Sequence, residues 1–113
     1  MAATLFHNPK CSTSRNALAL LRDRGVELTV VEYLKAGWDS ETLLRLAAAT
    51  GGGVRGLLRT KEDGAKALLE ADADDETMIA AMIAAPVLVE RPILETGKGA
   101  RIGRPVERML ELL

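Results

Sequence analysis

The residues of this chain that can do chemistry cluster in one stretch, His7-Asn8-Pro9-Lys10-Cys11-Ser12-Thr13-Ser14-Arg15-Asn16. Cys11 is the single cysteine. A short apolar run, Thr4 to His7, precedes it, and a helical pattern, Ser12 to Arg24, follows. The thiol therefore falls where a strand hands over to a helix. A helix N-terminus offers unpaired backbone N–H groups and a partial positive charge. Both favour a thiolate over a thiol, and Lys10 and Arg15 add full positive charges nearby. Such a setting brings a cysteine pKa from ~8.5 into the range of roughly 3.5 to 7.5. The same N–H groups suit an oxyanion held against the sulfur. Ser12, Thr13 and Ser14 fit a loop that cradles an anion, and equally an ordinary helix cap. From the residues alone two readings stand: Cys11 as nucleophile, or Cys11 as a small buried structural residue. His7 has the same duality, as an electrostatic partner of a thiolate or as a polar residue that ends a strand.

A second constellation is made of arginines. Arg59 follows a short helical turn, Arg91 precedes Pro92, and Arg104 precedes Pro105. A residue before proline is biased to extended backbone, so its side chain is not laid along a helix. An arginine fork binds tetrahedral oxyanions through two parallel hydrogen bonds. Three such forks neutralise a doubly charged anion. The plainer reading is surface arginines with solvated heads, and Arg55, Arg101 and Arg108 are assigned to that class.

The elements that must position these groups follow from patterning. Ser12–Arg24 carries Leu18 and Leu21 on one helical face, with Gly25 as its stop. Glu27–Tyr33 is rich in β-branched residues and reads as a second strand. Strand, helix, strand implies a parallel pair with a right-handed crossover. The middle is helical. Asp39 or Ser40 caps a helix to about Thr50, Val54–Arg59 makes a short turn, and Lys61–Glu70 is helical with a weak point at Gly64. Asp74 caps a helix carrying Met78, Ile79, Met82 and Ile83, and Pro86 ends it. Val87–Glu95 reads as a strand interrupted by Pro92. A turn at Thr96–Gly99 leads to a strand at Ala100–Gly103, and Pro105 opens a last helix. With the helical insertion set aside, this is the element order of the thioredoxin fold, in which the proline entering the third strand faces the cysteine loop and is usually cis. If the chain takes that fold, the proline is Pro92, and Arg91 is then expected to sit close to Cys11.

Composition sets the outer bounds. The 113 residues suit one domain, taken as 1–113. Lysine plus arginine number 15 and aspartate plus glutamate 16, a net charge of -1, which gives no global reason to expect nucleic acid or a membrane as partner. One cysteine allows no internal disulfide and fits a reducing compartment, so a cytoplasmic location is expected. Met1–Lys10 has no apolar stretch long enough for a signal peptide. No histidine–cysteine cluster has metal-ligand spacing. With no exposed apolar stripe evident, a monomer is expected.

The ten-residue stretch around Cys11 resembles the active-site loop of the glutaredoxin-coupled arsenate reductases. Leu57-Leu58-Arg59, Glu90-Arg91-Pro92-Ile93 and Arg101-Ile102-Gly103-Arg104-Pro105 resemble, in order, the segments carrying that family's three substrate arginines. The likeness runs from about Thr4 to Leu113. It implies a thioredoxin-like four-stranded mixed sheet with a helical insertion between the second and third strands. It implies Cys11 as nucleophile aided by His7, and Arg59, Arg91 and Arg104 as anion ligands together with Ser12 and Ser14. Arsenate is then the substrate, glutathione the co-substrate and glutaredoxin the protein partner, with no metal or bound cofactor. Some relatives use the fold for regulation through a Cys-x-x-Cys switch. Here Ser14 stands three residues after Cys11, so that switch is absent. Two alternatives remain: a thiol-dependent oxidoreductase with another substrate, and a regulatory binding module without turnover.

Overall fold

Alternation along the first strand decides which way the sheet faces. In Ala2–His7 (β1), Ala3 and Leu5 point to one side and are buried, as a period of two requires. They meet Ala17 and Leu21, one helical turn apart on Ser12–Asp23 (α1), and Leu94, Met109 and Leu112. Leu18, Val26, Leu28, Val106 and Leu113 pack around this cluster. The structure, a computed structural model, describes residues 2–113. They form two compact units, 2–36 with 91–113, and Gly37–Glu90.

The first unit holds the sheet. β1 pairs in parallel with Glu27–Glu32 (β2), from Ala2↔Glu27 to His7↔Glu32. The turn between α1 and β2 explains the reversal. Gly25 sits at φ +71°, its N–H reaches the Arg22 carbonyl at 3.0 Å, and the Val26 N–H reaches Leu21 at 3.1 Å. This paired closure of a helix end by a left-handed glycine re-aims the chain along the sheet. A short helix, Tyr33–Ala36 (α2), follows β2 directly, so Tyr33 opens a helix and does not extend the strand.

The second unit is the helical insertion. It comprises Ser40–Thr50 (α3), Gly53–Leu57 (α4), Asp63–Glu70 (α5) and Asp75–Ala84 (α6). Asp39 caps α3 by accepting the Thr42 N–H at 2.7 Å, and Asp74 caps α6 by accepting that of Thr77 at 2.8 Å. Leu43, Leu46, Leu57, Met78, Met82 and Val89 are buried there. Ile83 is exposed, one residue off the buried face of α6.

The chain then returns to the sheet through Ile93–Thr96 (β3), antiparallel to β1 from Phe6↔Ile93 to Ala3↔Thr96, and Gly99–Ile102 (β4), antiparallel to β3. The order is β2-β1-β3-β4, the mixed four-stranded sheet of a thioredoxin-like fold with its insertion between β2 and β3. Two expectations are corrected. Residues 87–92 are not strand: Pro86–Leu88 is a 3-10 turn and Val89 makes a single bridge to Leu58. An apolar run of that length has no periodicity to separate the two outcomes. The last segment, Val106–Leu112, is a 3-10 helix, with Pro105 just outside it.

Leu94 lies in a central strand and has no exposed surface. Leu94→Ala is expected to cost about 2–5 kcal/mol of stability, read as a lower urea midpoint at unchanged slope.

Candidate active site

The loop after β1 is tied down by its own backbone. The Cys11 N–H donates to the Asn8 carbonyl at 3.0 Å, and the Lys10 N–H donates to Asn8 Oδ1 at 3.0 Å. Arg15 Nη1 reaches back to the Pro9 carbonyl at 2.9 Å. These bonds leave Cys11, half-buried and unoxidised, as the residue immediately before α1. That is the N-cap position, where a side-chain oxygen ordinarily accepts the N–H of the second or third helical residue. Here the side chain is a thiol. It closes no cap hydrogen bond of its own, yet the N–H groups of Ser14 and Thr13, which stand third and second in the helix, favour its anion.

His7 ends β1 beneath this loop and is 5% exposed. Its Nδ1 lies 2.7 Å from Ser14 Oγ, and the same hydroxyl accepts the Asn8 N–H at 3.1 Å. Ser14 is wholly buried, so its hydroxyl holds the loop together and only its N–H is turned to the sulfur. Burial pulls the imidazole below its ordinary pKa. Glu32 opposes that shift, and Arg22 and Arg15 add to it. The net shift favours the neutral imidazole, because desolvation penalises the cation. Ser12 is exposed on the first turn of α1.

Arg91 and Arg104 come from the C-terminal part of the sequence to the same end of the sheet as the thiol loop, since Ile93 pairs with Phe6. Arg91 is buried and stands one residue before Pro92, and the Arg91–Pro92 and Arg104–Pro105 peptides are both cis. Arg104 Nε donates to the Arg91 carbonyl at 2.8 Å, and its Nη2 lies 3.8 Å from Cys11 Sγ. One guanidinium thus braces the backbone of the other and faces the thiol. Gly103 permits this approach. Its N–H donates to the Pro92 carbonyl at 2.8 Å. A Cβ on it would stand 2.9 Å from Met109 Sδ and 3.0 Å from Pro92 Cγ.

The balance of forces on Cys11 is legible. Burial pushes the thiol up. The Ser14 N–H, the charge and hydrogen bond of Arg91, and the Thr13 N–H together outweigh it, and the thiol sits below its ordinary value. Lys10 is not among the causes, although sequence proximity nominated it; Arg91, eighty residues away in the chain, is.

Cys11, His7, Ser14, Arg91 and Arg104 therefore meet within one unit. Arg59 belongs to the other, just after α4. Its N–H donates to the Leu88 carbonyl at 2.7 Å and its Nη1 pairs with Glu62 Oε1 at 2.7 Å. Sequence reasoning missed three features: the His7–Ser14 bond, the Arg104 brace on Arg91, and the packing demand at Gly103. None joins residues close enough in sequence to show a pattern. No group of His, Cys, Asp or Glu among the described residues is placed to hold a metal ion, and none of their helices is long and apolar enough to cross a membrane.

One measurement, made on the wild type and two variants, follows. The alkylation rate of Cys11 against pH should show a midpoint below that of free cysteine, since the thiolate is the reacting form. Arg91→Ala should move the midpoint up, because it removes a favourable charge while leaving the burial that opposes ionisation. Gly103→Ala should raise it as well, by pushing Pro92 or Met109 aside and loosening the Arg104 brace; an unshifted midpoint in this variant would show that the close approach is immaterial to the thiol.

A family model, the ArsC family, matches residues 6–112 of the chain. The chain is 46% identical over 112 residues to an uncharacterized protein of Escherichia coli, YfgD, covering 96% of this chain and 94% of that one. It is 44% identical over 111 residues to the arsenate reductase ArsI2 of Synechocystis, covering 96% of this chain and 79% of that one. Among solved structures, an arsenate reductase from Vibrio cholerae superposes with a TM-score of 0.93 at 42% identity, covering 100% of this chain and 98% of the other. With the fold and nearly the full length matched, this chain belongs to the ArsC family.

Proposed function

We propose that the protein reduces arsenate to arsenite in a glutathione- and glutaredoxin-dependent cycle, with Cys11 as nucleophile. One observation carries the reading: Cys11 Sγ stands at the N-terminus of α1 with the Arg104 guanidinium 3.8 Å away. A thiolate and a tetrahedral oxyanion need the same surroundings, namely N–H groups and guanidinium forks. Membership of the ArsC family and relatives named arsenate reductase supply the substrate class.

In the proposed cycle, arsenate binds between the end of α1 and the guanidiniums of Arg91 and Arg104. The N–H groups of the Ser12–Ser14 turn contribute, and Arg59 is assigned as a third ligand from the resemblance of its segment. The Cys11 thiolate attacks arsenic, a sulfur–arsenic bond forms, and one protonated oxygen leaves as water. Glutathione displaces a second oxygen, again released as water. A glutaredoxin thiolate then attacks the glutathione sulfur, and the two sulfurs are oxidised together to a mixed disulfide. The sulfur–arsenic bond to glutathione breaks, its electron pair stays on arsenic, and arsenic(V) becomes arsenic(III). Water cleaves the remaining bond to Cys11 and releases arsenite. His7 acts through Ser14 as a positioning residue, fixing the turn whose N–H groups face the sulfur. The protein works in the cytoplasm as a monomer.

The test is a coupled assay with arsenate, glutathione and glutaredoxin. Wild type should turn over and Cys11→Ser should not. Omitting glutathione should stall the reaction at any enzyme concentration, because a chain with one cysteine has no internal thiol to resolve the adduct. Arg59→Ala, Arg91→Ala and Arg104→Ala should each weaken arsenate binding by about 1.5–3 kcal/mol, the worth of a charge-assisted contact. Sustained turnover with thioredoxin alone would exclude the glutaredoxin-coupled cycle and leave Cys11 as nucleophile.

A further inference from the structure

A cleft on the first unit shares the loop residues Asn8, Pro9 and Lys10 with the site described above. It is open to solvent, encloses about 160 Å3, and is lined by Asn8, Pro9, Lys10, Glu32, Leu34 and Lys35. One wall is the turn that ends at Cys11; the other is the end of β2 and the start of α2. The first wall is fixed, since the Asn8 side chain holds the Lys10 N–H and the Pro9 carbonyl takes Arg15. Pro9 and Leu34 give its lining an apolar part, and Leu34 is 41% exposed. The rim is charged in an alternating way. Lys35 Nζ lies 3.6 Å from Glu32 Oε1, with the lysine side chain 82% exposed, and Lys10 adjoins Cys11.

This charge pattern selects among small ligands. A bare oxyanion gains from the lysines and is repelled by Glu32. A ligand arm carrying an ammonium and a carboxylate on one carbon satisfies Lys35 and Glu32 together, exchanging their mutual ion pair for two of its own. A second carboxylate elsewhere on the ligand is left for Lys10. The cleft is open along one side, so an extended tripeptide can lie along it with only part of its length enclosed. We propose that this cleft is the binding site for glutathione, with the γ-glutamyl amino-acid group against Lys35 and Glu32, the glycyl carboxylate toward Lys10, and the chain between them over Pro9 and Leu34. The assignment rests on the reading of glutathione as co-substrate.

The probe is S-methylglutathione, which keeps every charged group and has no free thiol. Titrated into the isotope-labelled full-length protein, it should shift the amide signals of Asn8, Lys10, Leu34 and Lys35. Lys35→Glu should weaken that binding about three- to tenfold, a surface ion pair lost and a repulsion added, and should raise the KM for glutathione by the same factor with kcat unchanged. Cysteinylglycine, lacking the γ-glutamyl group, should be insensitive to the Lys35 change. Shifts confined to other surfaces, or equal binding by wild type and Lys35→Glu, overturn the site. If turnover requires glutathione yet its KM is the same in Lys35→Glu, the cleft is not the site and the glutathione-dependent cycle stands. If glutathione supports no turnover while S-methylglutathione still shifts these amides in a Lys35-dependent way, the site stands and the cycle falls.

Discussion

The proposed chemistry depends on holding one sulfur at the first turn of one helix. The N-cap position of α1 is where the helix has N–H groups to spare, and a thiol placed there gains only if it ionises. Burial works against ionisation. The helix end alone amounts to about half a positive charge, so full charges must be brought in as well. Arg91 brings one from the far end of the sequence, and Arg104 stands 3.8 Å from the sulfur. The sheet is what makes that delivery possible. β1 and β3 are neighbours in its centre, so the residue pair just before β3 lands beside the loop just after β1.

The shell beneath the thiol answers a different need. His7, Ser14 and the Asn8 N–H are polar groups in a buried place, where an unmet hydrogen bond costs on the order of 1–3 kcal/mol. They meet one another's demands through the single Ser14 hydroxyl. The result is a turn whose shape is fixed by a neutral network. Fixing it this way adds no further charge to a site that already concentrates positive charge, and a buried imidazolium there would have to be stabilised against Arg15 and Arg22.

The order of elements was legible in the sequence because each begins or ends on a local signal. Asp39 and Asp74 are helix caps and accept the expected N–H groups; Gly25 is the stop it resembles. Cys11 was nominated by the same local logic. What local logic cannot reach is pairing across the fold. Lys10 is nearest Cys11 in sequence, yet Arg91 acts on the thiol. Ser12, Thr13 and Ser14 look alike on paper, but only burial separates a hydroxyl that holds His7 from one left in solvent. The segment around Val87 misled for another reason. Its apolar residues suit a strand or a tight turn equally, and Pro86 together with the Leu58 bridge decides for the turn.

Charge counting places a last constraint on the proposed chemistry. A thiolate and a doubly charged arsenate together carry three negative charges, and bringing them to bonding distance is opposed by roughly 1 kcal/mol per unit pair at 4 Å even in bulk water, and by more where the protein excludes it. The first unit supplies two guanidiniums and a helix end, about two and a half positive charges. The shortfall is small, and it shrinks to nothing once a third arginine is added, the role proposed for Arg59. That arginine already carries a carboxylate partner, Glu62, at 2.7 Å. An anion that recruits Arg59 must therefore compete with Glu62, while Arg91 and Arg104 already act at the sulfur. On this reading the first two arginines serve the thiolate as well as the substrate, and the third serves the substrate alone.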